Sequence, residues 1–252
     1  MLEYSACIEW LFGEEPSFAR RVSLAAAAGI HWVEFWDWRD KPLTELGDAL
    51  RVTGSRVTSF VSEPEGRLVD PGTHEEFLAG VVESARVAES LGCHGLIVLA
   101  GDAFPDESRT AQRDAIVSAL RRAAPLAAAR GVTLLLEPLN TKVDHQGYFL
   151  DSSVEGLEII DEVGAGNVKL LYDVYHSVVM DEDPEQVIDG RVDLIGHVHL
   201  ADSPGRHEPG TGTMPWQTIL HSLERAGYAG RVGLEYMPTN GQTLRSLAWR
   251  DR

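Results

Sequence analysis

Four short apolar runs in the second half of the chain end at side chains able to bind a metal or move a proton. TLLLE ends at Glu137, VKLLYD at Asp173 and VGLE at Glu235, while HVHLAD carries His199 just before its end. A carboxylate at the end of a buried strand is costly to desolvate unless it is paired or hydrogen-bonded. Three converging on one mouth would repel one another, and no Lys or Arg adjoins them to offset that. A divalent cation relieves both problems, and a mixed carboxylate and imidazole set suits Mg²⁺, Mn²⁺ or Co²⁺ better than a thiolate-seeking metal. Any one of these residues alone reads as an ion-paired or loop-contacting group. Four on successive strands read as ligands.

The neighbours are less decided. His197 and His199 point to the same side of their strand because side chains alternate. His199 is nearer the end and is the better ligand, and His197 reads as a packed, hydrogen-bonded interior residue. Asp202 either orients a ligand or forms a turn. Glu34, inside HWVEFW, is either a substrate contact or the partner of a nearby basic group. Trp10, Phe12, Trp36 and Trp38 are either pocket walls or packing, and His207 and His221 read as surface or helix residues.

One pattern could hold these strand ends together. An Ala-rich helical stretch, a Gly and a short apolar run recur around Gly29, Gly92, Gly131, Gly164 and Gly227. Gly just past a helix takes the left-handed conformation that ends it, and the β-rich run that follows is strand-like. Phe77, Val81, Ala85, Ala88 and Leu91 share a helix face, as do Leu157, Ile160 and Val163 after a cap at Asp151 or Ser152. Pro125 is expected to kink the helix it falls in. With RVTSFVS, DLIGHVHLAD and the opening EYSACIEWLF there are eight candidate strands. Nearly continuous apolar strands alternating with helices imply a parallel sheet. The expected fold is α/β, a single (β/α)8 TIM barrel with its active site at the C-terminal strand ends. A doubly wound sheet competes poorly, since no GxGxxG follows the first strand. No linker or low-complexity tract divides the chain, so residues 1–252 are read as one domain.

Bulk properties narrow the function. The net charge is −17, from 39 acidic and 22 basic residues, which opposes binding to nucleic acid or an anionic membrane surface. No run approaches eighteen uncharged apolar residues, and MLEYSACIEWLF lacks the basic start of a signal peptide. Cys7 and Cys93 have no metal or CxxC spacing and read as buried free thiols of a reducing cytoplasm.

The motifs LLLEPLN, LLYDVYH, GHVHLADSPGRHEPGTG and GLEYMP resemble, in order and spacing, the hydroxypyruvate isomerase family of the xylose-isomerase-like barrels. The resemblance runs from SACIEWLF to EYMP. It implies one divalent ion, Mg²⁺ or Mn²⁺ with Co²⁺ as an alternative, on Glu137, Asp173, His199 and Glu235. It also implies that Glu137 and Glu235 are the proton-transfer pair. His176 and Arg206 match positions that contact substrate oxygens, Glu208 lies in the shared EPGTG motif, and His145 falls in a loop that would cap the mouth. The chain departs from the family at two places: His199 stands where its members often carry Gln, and Cys7 where they commonly have Asn.

The implied chemistry is aldose–ketose isomerisation through an enediolate, converting hydroxypyruvate to tartronate semialdehyde. A ketose 3-epimerase or a 2-oxo-tetronate isomerase would use the same site. A sugar-binding barrel without activity and an endonuclease IV-like phosphodiesterase are weaker alternatives: binding alone does not need both glutamates, and the charge opposes DNA. The expected partner is a small keto acid or ketose, with room for a homo-oligomer.

Overall fold

The structure is a computed structural model and describes residues 2–62, 64 and 67–251. In chain order the strands are β1 (Glu3–Cys7), β2 (Trp32–Glu34), β3 (Arg56–Val57), β4 (Ser59–Val61), β5 (Gly95–Leu99), β6 (Thr133–Glu137), β7 (Val168–Asp173), β8 (Ile195–Leu200) and β9 (Arg231–Leu234). They form one parallel sheet in the order β3-β2-β1-β9-β8-β7-β6-β5-β4. The two ends of that order are halves of one stretch, parted by Thr58. Arg56 and Val57 pair with Trp32 and Val33, whereas Ser59 to Val61 pair with Gly95 to Ile97. A bond from Val61 N–H to the Trp36 carbonyl, at 3.2 Å, ties the seam. The nine strands therefore make a nearly closed barrel of eight staves, with RVTSFVS divided because it passes its hydrogen bonds from one neighbour to the other at Thr58.

Helices α1 (Phe18–Ala27), α2 (Leu43–Thr53), α3 (His74–Leu91), α4 (Arg109–Ala128), α5 (Ser153–Val163), α6 (Val174–Val179), α7 (Pro184–Ile188), α8 (Trp216–Ala226) and α9 (Thr243–Ser246) fill most of the connections. Local chemistry sets their ends. Ser152 caps α5 by accepting from Glu155 N–H, and Gly92 ends α3 in the left-handed region. Pro125 falls in the last turn of α4, which continues to Ala128. No helix among the described residues is long and apolar enough to cross a membrane.

Alternation along the strands sorts the side chains. Val33, Phe60, Leu96, Leu134, Leu170, Val198 and Leu234 bury against the helices in the large core. Ser5, Cys7, Glu34, Ser59, Ile97, Leu135, Leu171, His197 and His199 occupy the alternate positions, toward the barrel axis. The interior is therefore split. Val61, Ile97, Leu135 and Leu171 form a small apolar cluster with Trp36 and Leu99 against it, and Glu34, His197, His199 and the strand-end carboxylates make up the polar part.

Candidate active site

The same alternation that faces Leu135 inward delivers Glu137 two residues later, at the end of β6. Asp173 ends β7 and is also the N-cap of α6. Its Oδ1 accepts from Tyr175 and His176 N–H, which leaves Oδ2 facing the mouth. His199 lies on β8 and Glu235 follows β9. Ligand atoms of Glu137, Asp173, His199 and Glu235 all lie within 4.8 Å of one another, and all four side chains are buried. Nδ1 of His199 is 3.6 Å from Glu137 Oε1 and 3.5 Å from Glu235 Oε2.

The two glutamates sit in different surroundings. Glu235 accepts from Trp36 Nε1–H at 2.8 Å and from Arg206 Nη2–H at 2.6 Å, with the Cys7 thiol donating at 3.8 Å. Burial alone would raise its carboxyl, but the charges of His199 and Arg206 hold it well below the usual carboxylate range. Glu137 has no such clamp among the described residues. Burial pushes it up to about 7 against the pull of His199, and the charges of Glu235 and Asp173 push the same way. Burial also lowers His176, to about 4, so its ring is neutral at pH 7. Its Nδ1 accepts from the Asn140 backbone N–H at 3.1 Å, which assigns the remaining proton to Nε2, 3.5 Å from Asp173 Oδ2.

Beside these groups lies a cavity of about 260 Å³. It is lined by the apolar or aromatic Trp10, Trp36, Val61, Ile97, Leu99 and Leu139 and by the polar Asp37, Glu137, Glu235, His176, His145 and Arg206. Arg206 is its one lining Lys or Arg among the described residues. The guanidinium is held between the rings of Trp10, 4.8 Å away, and Tyr175, 5.1 Å away. Its backbone takes φ +53°, and its carbonyl accepts from Met237 N–H at 3.0 Å. Asp202 organises the loop that presents it. One carboxylate oxygen accepts from Ser203 and Met214 N–H and the other from Gly210 and Gly212 N–H, at 2.7 to 3.0 Å. Of its two readings, turn former is the one this geometry supports.

Several other residues fall elsewhere. Glu208 turns away from the cavity and accepts from Thr239 N–H at 2.9 Å. His207 bonds the Met237 carbonyl and His221 is exposed on α8. Trp10 and Trp36 wall the cavity, whereas Phe12 packs in the core and Trp38 donates to Ser84. Glu34 proves to be a partner of histidines: its Oε2 lies 2.7 Å from His197 Nε2 and 3.5 Å from His199 Nε2. Asn140, which also donates to Asp144, and Tyr175, whose ring lies on Arg206, belong to the site as well. The LLLEPLN motif contains Asn140, but nothing in it reveals that its backbone fixes a histidine 36 residues away.

The residues fit a divalent cation. Both ring nitrogens of His199 are buried without a hydrogen-bond partner, and Nδ1 faces a group of three carboxylates. A buried imidazole nitrogen in that position calls for a cation, and the donors are the oxygen and imidazole types that hard or borderline divalent ions take.

A family model described as Xylose isomerase-like TIM barrel matches residues 22–252. The hydroxypyruvate isomerase of Escherichia coli is 33% identical over 100% of this chain and 99% of its own length. The chain belongs to the hydroxypyruvate isomerase family. A 2-oxo-tetronate isomerase of Cupriavidus necator is 32% identical, over 99% of this chain and 97% of its own. Among solved structures, a protein from Brucella melitensis described as an AP endonuclease, family 2, superposes with a TM-score of 0.93 at 31% identity, covering 100% of this chain and 98% of that one. Within the family the strand ends are the natural place for chemistry, as in barrels generally.

Proposed function

We propose that the chain interconverts hydroxypyruvate and tartronate semialdehyde by proton transfer between adjacent carbons, with one Mg²⁺ or Mn²⁺ on Glu137, Asp173, His199 and Glu235 (Co²⁺ suits the same donors). Membership of the family makes it an isomerase. The observation that carries the finer reading is the pairing of Glu137 and Glu235 on one small cavity whose lining cation is Arg206. A cavity of about 260 Å³ suits a substrate of few carbons, and an arginine suits its carboxylate. A divalent ion there supplies Lewis-acid stabilisation of the negative charge that develops on the substrate oxygens.

The protein's own part follows from the donors around each group. Glu137 is unclamped and lines the cavity, so it takes the proton from C3 of hydroxypyruvate and its conjugate acid returns one to C2. Glu235 is tied by Trp36 and Arg206; it stays charged and holds its position on the opposite face, where it can act only as a base. His176 lines the cavity with a ring whose tautomer Asn140 fixes, its Nε2–H lying beside Asp173 Oδ2. His145, half-buried over the same cavity, narrows the mouth and excludes water. Asp202 acts on substrate only through the loop that carries Arg206.

The 32% identity to the Cupriavidus protein favours a second reading, a four-carbon 2-oxo acid in the same site. An uncharged ketose would leave Arg206 only its protein partners, Glu235 and Asp173. DNA hydrolysis, which the Brucella protein's description suggests, is opposed by the net charge of −17. The test is the chelated chain restored with Mg²⁺ or Mn²⁺ and given hydroxypyruvate, 2-oxo-tetronate, tetruloses and hexuloses in D₂O, followed by NMR. Solvent deuterium at C2 of tartronate semialdehyde is the expected result. Full turnover after exhaustive chelation, or turnover of ketoses alone, refutes the reading.

A further inference from the structure

Glu34 is buried, 2% exposed, at the end of β2, which β1 alone separates from β9. Among the described residues it touches neither the cavity nor a Lys or Arg; its side-chain partners are Ser59 and two histidines. Its surroundings are built to hold it. Ser59 Oγ donates to Oε2 at 3.2 Å and His197 Nε2 lies 2.7 Å from the same oxygen. On β9, Gly233 faces it closely, because a Cβ there would lie 2.1 Å from Glu34 Oε1 and 2.6 Å from His199 Cδ2. Only glycine leaves room for the carboxylate and the imidazole together.

The consequence concerns His199. Its ring is flanked by carboxylates at both nitrogens, with Glu34 3.5 Å from Nε2 and Glu137 and Glu235 at 3.6 and 3.5 Å from Nδ1. A neutral imidazole carries one N–H and one lone pair. We propose that Glu34 is the positioning residue of the metal centre: with a cation bound it accepts Nε2–H of His199, from which it stands 3.5 Å here, and this directs the Nδ1 lone pair into the group of Glu137, Asp173 and Glu235. His197 and Ser59 hold the Glu34 carboxylate in turn. It rests on the cation reading above.

The experiment is a double-mutant cycle on Mn²⁺ affinity, measured by calorimetry on the full chain with E34Q, H199Q and the pair. Loss of a group that orients a metal-binding histidine weakens the metal between about 10- and 100-fold. E34Q is expected to lose that much against the unmodified chain and less than about 2-fold against H199Q, whose amide has no ring N–H to direct. Unchanged affinity in E34Q, or an equal loss in both backgrounds, overturns the proposal. Absence of Mn²⁺ binding by the unmodified chain overturns the functional reading and takes this proposal with it, so the two failures are distinguishable. Should E34Q not fold, long-range ¹H–¹⁵N spectra of the unmodified, Mg²⁺-loaded chain decide the matter. A His199 protonated at Nε2 supports the proposal, and one protonated at Nδ1 overturns it.

Discussion

Replacing Glu137 with Gln should stabilise the metal-free protein at alkaline pH. Without a cation, burial and two neighbouring carboxylates take the Glu137 carboxyl from its ordinary 4.5 to about 7. A carboxyl raised in the folded state contributes fully below its unfolded value, and that contribution is lost as pH rises from 4.5 through 7. At about 1.36 kcal/mol per pH unit the ionised side chain then costs the folded chain about 3 kcal/mol. E137Q removes the ionisation, so at pH 8 the chelated variant should melt about 6–12 °C above the chelated parent, at about 2–4 °C per kcal/mol for a chain of this size. At pH 4.5 the linkage leaves only about 0.4 kcal/mol between them. Saturation with Mn²⁺ at about 100 times Kd adds about 2.7 kcal/mol to the parent and less to the variant, so the gap should close. Circular dichroism melts at pH 4.5 and 8, with EDTA and with Mn²⁺, read all four states. An E137Q that melts at or below the parent in EDTA at pH 8 would refute the reasoning.

Three further outcomes follow from the geometry. R206K keeps a charge but loses the planar fork that also reaches Glu235, so KM for a carboxylate substrate should rise by about 10-fold or more, and by more than KM for uncharged ketoses, which share only the loss at Glu235; steady-state kinetics on both classes checks it. D202A strands four backbone N–H groups at about 1–3 kcal/mol each before water relieves them, and hydrogen exchange should report loss of protection confined to residues 203–214. G233A forces a Cβ against Glu34 and His199, which should cost about 1–3 kcal/mol in denaturant melts and also weaken Mn²⁺ binding.

The eight staves could be read from the sequence because glycine-ended helices and apolar runs are local signals. The strand-end residues could be read for a related reason: a period of two fixes which side chains face the axis once the run is recognised, and Glu137, Asp173, His199 and Glu235 sit at such positions. The break at Thr58 was hidden, because it depends on which neighbour each half-strand meets. Glu34 was undecided for the same cause, its histidine partner being 163 residues away. Asp202 and Glu208 share one motif yet do different work, since only backbone geometry reveals that the first gathers a loop and the second holds Thr239. Phe12 and Trp38 looked like Trp10 and Trp36 in the sequence, and the path of the loops after β1 and β2 separates the pairs.

The divided interior of the barrel gives selection two independent handles. Val61, Ile97 and Leu99 touch the cavity from strands that carry none of the proposed ligands or proton-transfer groups. Enlarging or shrinking them reshapes the space for the substrate's carbon chain and leaves the charged groups alone. A lineage built on this barrel can therefore change the length of molecule it accepts by drifting at the apolar positions, with the reaction type inherited at the charged ones.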